Sequence, residues 1–173
     1  MMVAARIFLP LVLWAVAQPV AGASAEEEVV ELLKADVVAK VDQLQKVSRR
    51  CEQAKRQGQV SLENLAALAL SREQLIAAVG YLSLRNDYLC TQQARRELSF
   101  ALAAFESVRQ DYDYPPSESG LVQQELLYPS ARYYELGVHY ARLPSEAREQ
   151  AQAVVGSRPF ELMPVLNAIP PPD

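Results

Sequence analysis

Between positions 30 and 54 the apolar residues Val30, Leu33, Val37, Val41, Leu44, Val47, Cys51 and Ala54 recur every three or four places. A helix gathers such residues into one narrow stripe, whereas a strand would scatter them over both faces. One of the chain's two cysteines lies on this stripe. The stripe must therefore be covered by another helix, and Cys90 is the natural place to look for it.

Whether the two thiols join depends on compartment, and the first residues bear on that. Arg6 precedes an apolar run, residues 7–17, and then the small residues Ala21, Gly22, Ala23, Ser24 and Ala25. A positive start, an apolar stretch of this length and overlapping small-residue cleavage sites make up a secretory signal peptide. Cleavage after Ala23 and cleavage after Ala25 fit equally well, so residues 1–25 are read as a leader. About eleven apolar residues are too few to cross a hydrocarbon core of ~30 Å. The alanine-rich leader looks bacterial, which puts the expected location in the periplasm or outside the cell. No later segment is long and apolar enough to span a membrane.

Exported, the pair Cys51 and Cys90 is expected as a disulfide. Closing a loop of that length stabilises a fold by ~3–4 kcal/mol in the chain-entropy account. About 148 residues remain after the leader, enough for one domain with a core. The net charge of −4 becomes one unit more negative when Arg6 leaves. An acidic domain argues against nucleic acid as its partner.

Few glycines, many helix formers and almost no alternating pattern give an all-α fold, a small bundle of about four to six helices. The first helix is expected over residues 26–57, with Glu26, Glu27 and Glu28 at its positive end, Lys55 and Arg56 at its negative end, and Gly58 as its stop. Ser61 can cap a second helix, and Ser71 with Gln74 can form a capping box for a fresh one. Gly80 is read as a break, which makes helices one and three parallel and stapled within an antiparallel three-helix arrangement. Beyond the polar loop at residues 111–120, Pro129 and Pro144 are read as openings of two further helices, the second ending at Gly156. The domain is bounded at residues 26–156, and residues 157–173, with five prolines, are read as an extended tail.

The chain holds few candidates for chemistry. His139 is its only histidine, with Glu135 four residues earlier on the same helical face. That is too little for a metal site or a histidine triad, and no metal or other cofactor is expected. The run Glu118, Ser119, Gly120, Leu121, Val122, Gln123 resembles two pieces of lytic transglycosylases, a catalytic Glu-Ser and a Gly-Leu-apolar-Gln segment. Here the pieces are fused, and the spacing that builds a cleft is missing. No phosphate loop, nucleophile elbow or paired-cysteine metal site occurs.

What remains are surfaces. Lys46, Arg49, Arg50, Lys55 and Arg56 form a basic cluster, with Arg95 and Arg96 expected near it across the bridge. Tyr128, Tyr133, Tyr134 and Tyr140 belong to a tyrosine-dense stretch, and Phe160 and Met163 are apolar residues of the tail. Rigid amphipathic tyrosines and accessible cations suit protein interfaces. The expected function is that of an exported, non-catalytic helical accessory protein with a protein partner in the cell envelope. The alternatives are a carrier of a small apolar or amphipathic ligand, with the chain's alanines leaving room between helices, and a peptidoglycan-active enzyme.

Overall fold

The computed structural model describes residues 24–115 and 126–169. Six helices occur among them, without a strand: α1 (Ala25–Gln57), α2 (Leu62–Ala66), α3 (Arg72–Asp111), α4 (Ala131–Ala141), α5 (Ser145–Val155) and α6 (Leu162–Ala168). No helix among them is long and apolar enough to cross a membrane. Residues 1–23, which hold the run read as a leader core, the Glu118-to-Gln123 run and the last prolines lie outside the described residues.

Helix α1 starts where its sequence can satisfy orphan backbone donors. Ser24 Oγ accepts from the Glu27 amide at 3.2 Å, and the Glu27 carboxylate accepts from the Ser24 amide at 2.9 Å. Its stripe is buried at Val30, Leu44 and Cys51. Gly58 closes the helix with ordinary extended φ, so conformational freedom is not its purpose. A Cβ there would stand 2.1 Å from the Pro159 carbonyl oxygen, and the glycine lets the C-terminal segment pass against the helix end.

Helix α3 corrects the expected break. It runs unbroken through Gly80 for 40 residues, about 60 Å, and starts at the Ser71–Gln74 capping box. Gly80 is buried inside the helix, and a Cβ on it would meet Leu136 Cδ1 at 3.1 Å. Gly137 on α4 faces the Tyr81 ring at a similar distance. The glycines mark close approach of two helices, a role that a lone sequence does not separate from a turn.

The expected parallel pairing of the stapled helices is corrected too. Cys51 bonds to Cys90 with Cα atoms 6.1 Å apart. On either side, Lys55 meets Asp87 at 2.7 Å and Lys40 meets Glu97 at 3.1 Å, so the numbers fall on one helix as they rise on the other. The helices are antiparallel. The levels agree because α3 begins ~18 Å beyond the end of α1, by the helical rise of each from its cysteine. Residues 58–71, with the single-turn α2, travel that distance.

Two cores result. In the stalk, Leu44 of α1 packs with Ala94, Leu98 and Leu102 of α3, flanked by Val37, Val41, Val47, Leu126 and Leu127. In the head, the N-terminal part of α3 gives Ala78, Val79 and Leu82 to a cluster with Leu65, Leu143, Ala151, Val155, Phe160 and Val165. Asn86, 1 % exposed, ties the head together by donating 3.0 Å hydrogen bonds to the carbonyls of Gly156 and Arg158.

The segment expected as an extended tail departs from that reading over its described part. It forms α6 and buries Phe160, Val165 and Ile169. Pro164 is the third residue of α6, where a missing N–H removes no helical hydrogen bond, so the proline is compatible with the turn.

Candidate functional site

Where stalk and head meet, the chain forms an open cleft. One lobe, about 310 Å³, is lined by Ser48, Cys51 and Glu52 of α1 and by Asp87, Tyr88, Thr91 and Arg95 of α3. Its outer wall is Tyr128, Pro129, Ser130 and Tyr133, the approach to α4 and its first turn. A second lobe, about 330 Å³, is lined by Val41, Leu44, Gln45, Ser48, Arg49, Arg95 and Leu126. Ser48 and Arg95 line both.

Arg95 sits at the junction. Its Nε donates to Thr91 Oγ1 at 2.8 Å, an Nη donates to the Leu126 carbonyl, and the guanidinium lies 5.6 Å from the centre of the Tyr88 ring. Burial pulls its pKa below the usual arginine value. Asp87, across the first lobe, is held by Lys55. Burial pushes the Asp87 carboxyl up, against the opposing pull of the Lys55 ammonium. Burial alone would lower the Lys55 ammonium, but the hydrogen bond and charge of Asp87, with Glu52 and Glu161 behind it, leave it raised.

The tyrosines form a ladder. Tyr140 stacks on Tyr81 with centroids 4.7 Å apart, Tyr81 meets Tyr133 at 5.4 Å, and Tyr133 meets Tyr88 at 6.2 Å. Tyr134 touches the edge of Tyr133 at 5.2 Å. Burial, then the hydrogen bond with Tyr81, pushes the Tyr133 phenol up to about 12, so it remains neutral. The Tyr140 hydroxyl donates to the Arg148 carbonyl at 2.9 Å, and burial raises its pKa as well.

The expected surface residues separate into groups. Arg95, Tyr128, Tyr133 and Arg49 come together around the cleft. Lys46, Arg50, Arg56 and Arg96 are exposed but line neither lobe, and Lys55 is turned into its pair with Asp87. Tyr134 is exposed on α4 beside Val138, while Tyr140 is half-buried in the ladder. Phe160 is corrected outright: at 2 % exposed it is a core residue, because its ring fills the head where the chain passes Gly58. Met163 is exposed on α6.

Tyr81, Tyr88 and Asp87 were not among the expected residues. A signal for the tyrosines existed: Tyr81 and Tyr88, like Tyr133 and Tyr140, are seven apart, and two such pairs on antiparallel helices align ring on ring. His139 is exposed on α4, and Glu135 pairs with Arg132 at 3.2 Å. Among the described residues no three His, Cys, Asp or Glu gather to hold a metal ion. The chain matches no protein-family model, and no curated protein or solved structure proved significantly similar to it.

Proposed function

We propose that this protein is an exported, non-catalytic accessory protein that holds a protein partner in the cell envelope through the outer face of α4 and the lip of the Arg95 cleft. The observation that carries the reading is the placement of Tyr128, Tyr134 and Val138. All three are more than half exposed, and they lie beside a rigid aromatic ladder and a mouth bearing Arg49 and Arg95. Tyr134, whose ring already rests on the edge of Tyr133, loses little entropy on binding, and tyrosines commonly carry interface energy. The Cys51–Cys90 bridge supports an oxidising compartment, because cytosolic reductants keep such pairs open.

Export implies a cleaved leader, and the α1 capping box favours one of the two cleavage sites. Cleavage after Ala23 leaves Ser24 and its two hydrogen bonds to Glu27 in place, whereas cleavage after Ala25 removes the cap. A lost cap costs about 1 kcal/mol. Intact mass of the exported protein is expected to give Ser24 as the first residue.

The test of the partner reading is site-specific photo-crosslinking in the source envelope. A cross-linker at Tyr134 is expected to trap one discrete partner, and one at the exposed stalk residue Ser107 is not. Equal trapping at both positions, or none at Tyr134, rejects the reading.

A further inference from the structure

We propose that the Arg95 cleft is a binding site for a small amphipathic monocarboxylate, its carboxylate on Arg95 and Arg49 and its apolar body on Val41, Leu44 and Leu126. This goes beyond the partner reading and does not depend on it: the two share Arg49 and Arg95 at the mouth of the cleft, but the apolar floor of the second lobe belongs to the ligand alone.

The cleft holds a charge without a counter-ion among the described residues. Arg95 is half-buried, yet its partners among the described residues are a hydroxyl, a backbone carbonyl and an aromatic ring, all uncharged. A guanidinium has five N–H donors, and the two hydrogen bonds to Thr91 and Leu126 occupy two of them. Taking a cation out of water is unfavourable unless a charge or enough hydrogen bonds compensate it. Along the seam of α1 and α3 the neighbouring half-buried charges are matched, Lys55 with Asp87 and Lys40 with Glu97. Among the described residues Arg95 is held in place by neutral groups, which leaves its charge available. Arg49 lines the same lobe, is exposed, and makes no ion pair among the described residues.

The shape of the site selects the class of anion. The second lobe is floored by Leu44, 4 % exposed, with Val41 and Leu126 beside it, so the anion must carry an apolar body. Its size of about 330 Å³ suits a small ligand. A guanidinium fork matches a carboxylate through paired N–H donors. Glu52 and Asp87 line the far end of the first lobe, which disfavours phosphates and polyanions there. A carboxylate on a short aliphatic chain meets all three conditions.

Titration calorimetry on the mature, disulfide-bonded protein with decanoate tests the site. Decanoate is expected to bind with one-to-one stoichiometry, and 1-decanol at least about tenfold more weakly, as the loss of a charge-assisted hydrogen bond requires. Arg95→Met is expected to weaken decanoate by at least about tenfold on the same ground. Arg49→Ala, at an exposed position that supports no described contact, is expected to weaken it about two- to fivefold. That second variant keeps the test decisive should Arg95→Met fail to fold. A capped dileucine acid, compared with its amide, separates a free amphipathic acid from a peptide C-terminus. Tighter binding of decanoate than of that peptide supports the proposal. Tighter peptide binding, equal affinity for decanoate and decanol, indifference to Arg49→Ala, or no binding at all overturns it.

Discussion

At the N-terminal end of α3, Ala78, Val79 and Leu82 are wholly buried among residues from α2, α5, α6 and their connections, whereas at its C-terminal end Leu98 and Leu102 are covered by α1 with Leu126 and Leu127 alongside. The same helix is thus a core element in the head and one half of a hairpin in the stalk. The stalk leaves Leu32, Val38 and Phe100 exposed, Phe100 at 79 %. A two-helix layer buries one stripe per helix and has no second surface to cover the rest. It relies on covalent and ionic ties that the head does not need: the Cys51–Cys90 bridge and the bonds of Glu97 to Lys40 and Gln43. The cleft lies where the two modes of packing meet.

Changes to each region should break this contrast in order of size. Phe160→Ala removes the largest fully buried side chain of the head and is expected to cost about 4 kcal/mol in chemical denaturation. Hydrogen exchange in that variant should rise first in α5 and α6. A loss under about 1 kcal/mol would mean that the head is not one core. Replacing both cysteines by serine should cost about 3 kcal/mol. The lost protection should fall on α1 and the C-terminal half of α3, and loss centred on the head would contradict the division. Gly58→Ala drives a Cβ into the Pro159 carbonyl, a backbone atom that cannot rotate away, and is expected to cost about 2 kcal/mol.

The smallest effect is a pH dependence confined to the stalk. Hydrogen bonds from Lys40, Gln43 and Gln93 hold the Glu97 carboxyl below the usual glutamate range. Its stabilising contribution is therefore complete above the ordinary glutamate pKa and is lost as the pH falls through the lower, folded value. Acidification should reduce exchange protection around Lys40 and Glu97 relative to the head, and Glu97→Gln should remove that difference. An unchanged difference in the variant would show that another group carries it.

How much of this was legible in the sequence follows from which signals are local. The α1 stripe, its end charges, the Ser71 capping box and the stop before Gly58 each involve neighbours within four residues, and they lie where the sequence puts them. Gly80 misled because its reason is Leu136, more than fifty residues away, and a glycine admitted for close approach carries the same letter as one admitted for a turn. The relative direction of α1 and α3 went wrong with it. Pro164 misled in the opposite way, since a proline in a first turn ends nothing. Of the site, Arg49, Arg95 and four of the cleft and ladder tyrosines, Tyr128, Tyr133, Tyr134 and Tyr140, were legible as residue types. Their convergence with Ser48, Tyr88 and Asp87 was not, because it depends on α3 carrying them unbroken from head to stalk.

That continuity is the premise on which head, stalk and cleft all rest, and a distance along α3 measures it. Spin labels at Glu73 and Ser107, both exposed, should lie about 51 Å apart by pulsed dipolar spectroscopy, the rise of 34 residues of one straight helix. A narrow distribution near that value would establish the single rod. A distance near 30 Å, as a helix folded back at Gly80 would give, would contradict the account and dissolve the cleft with it.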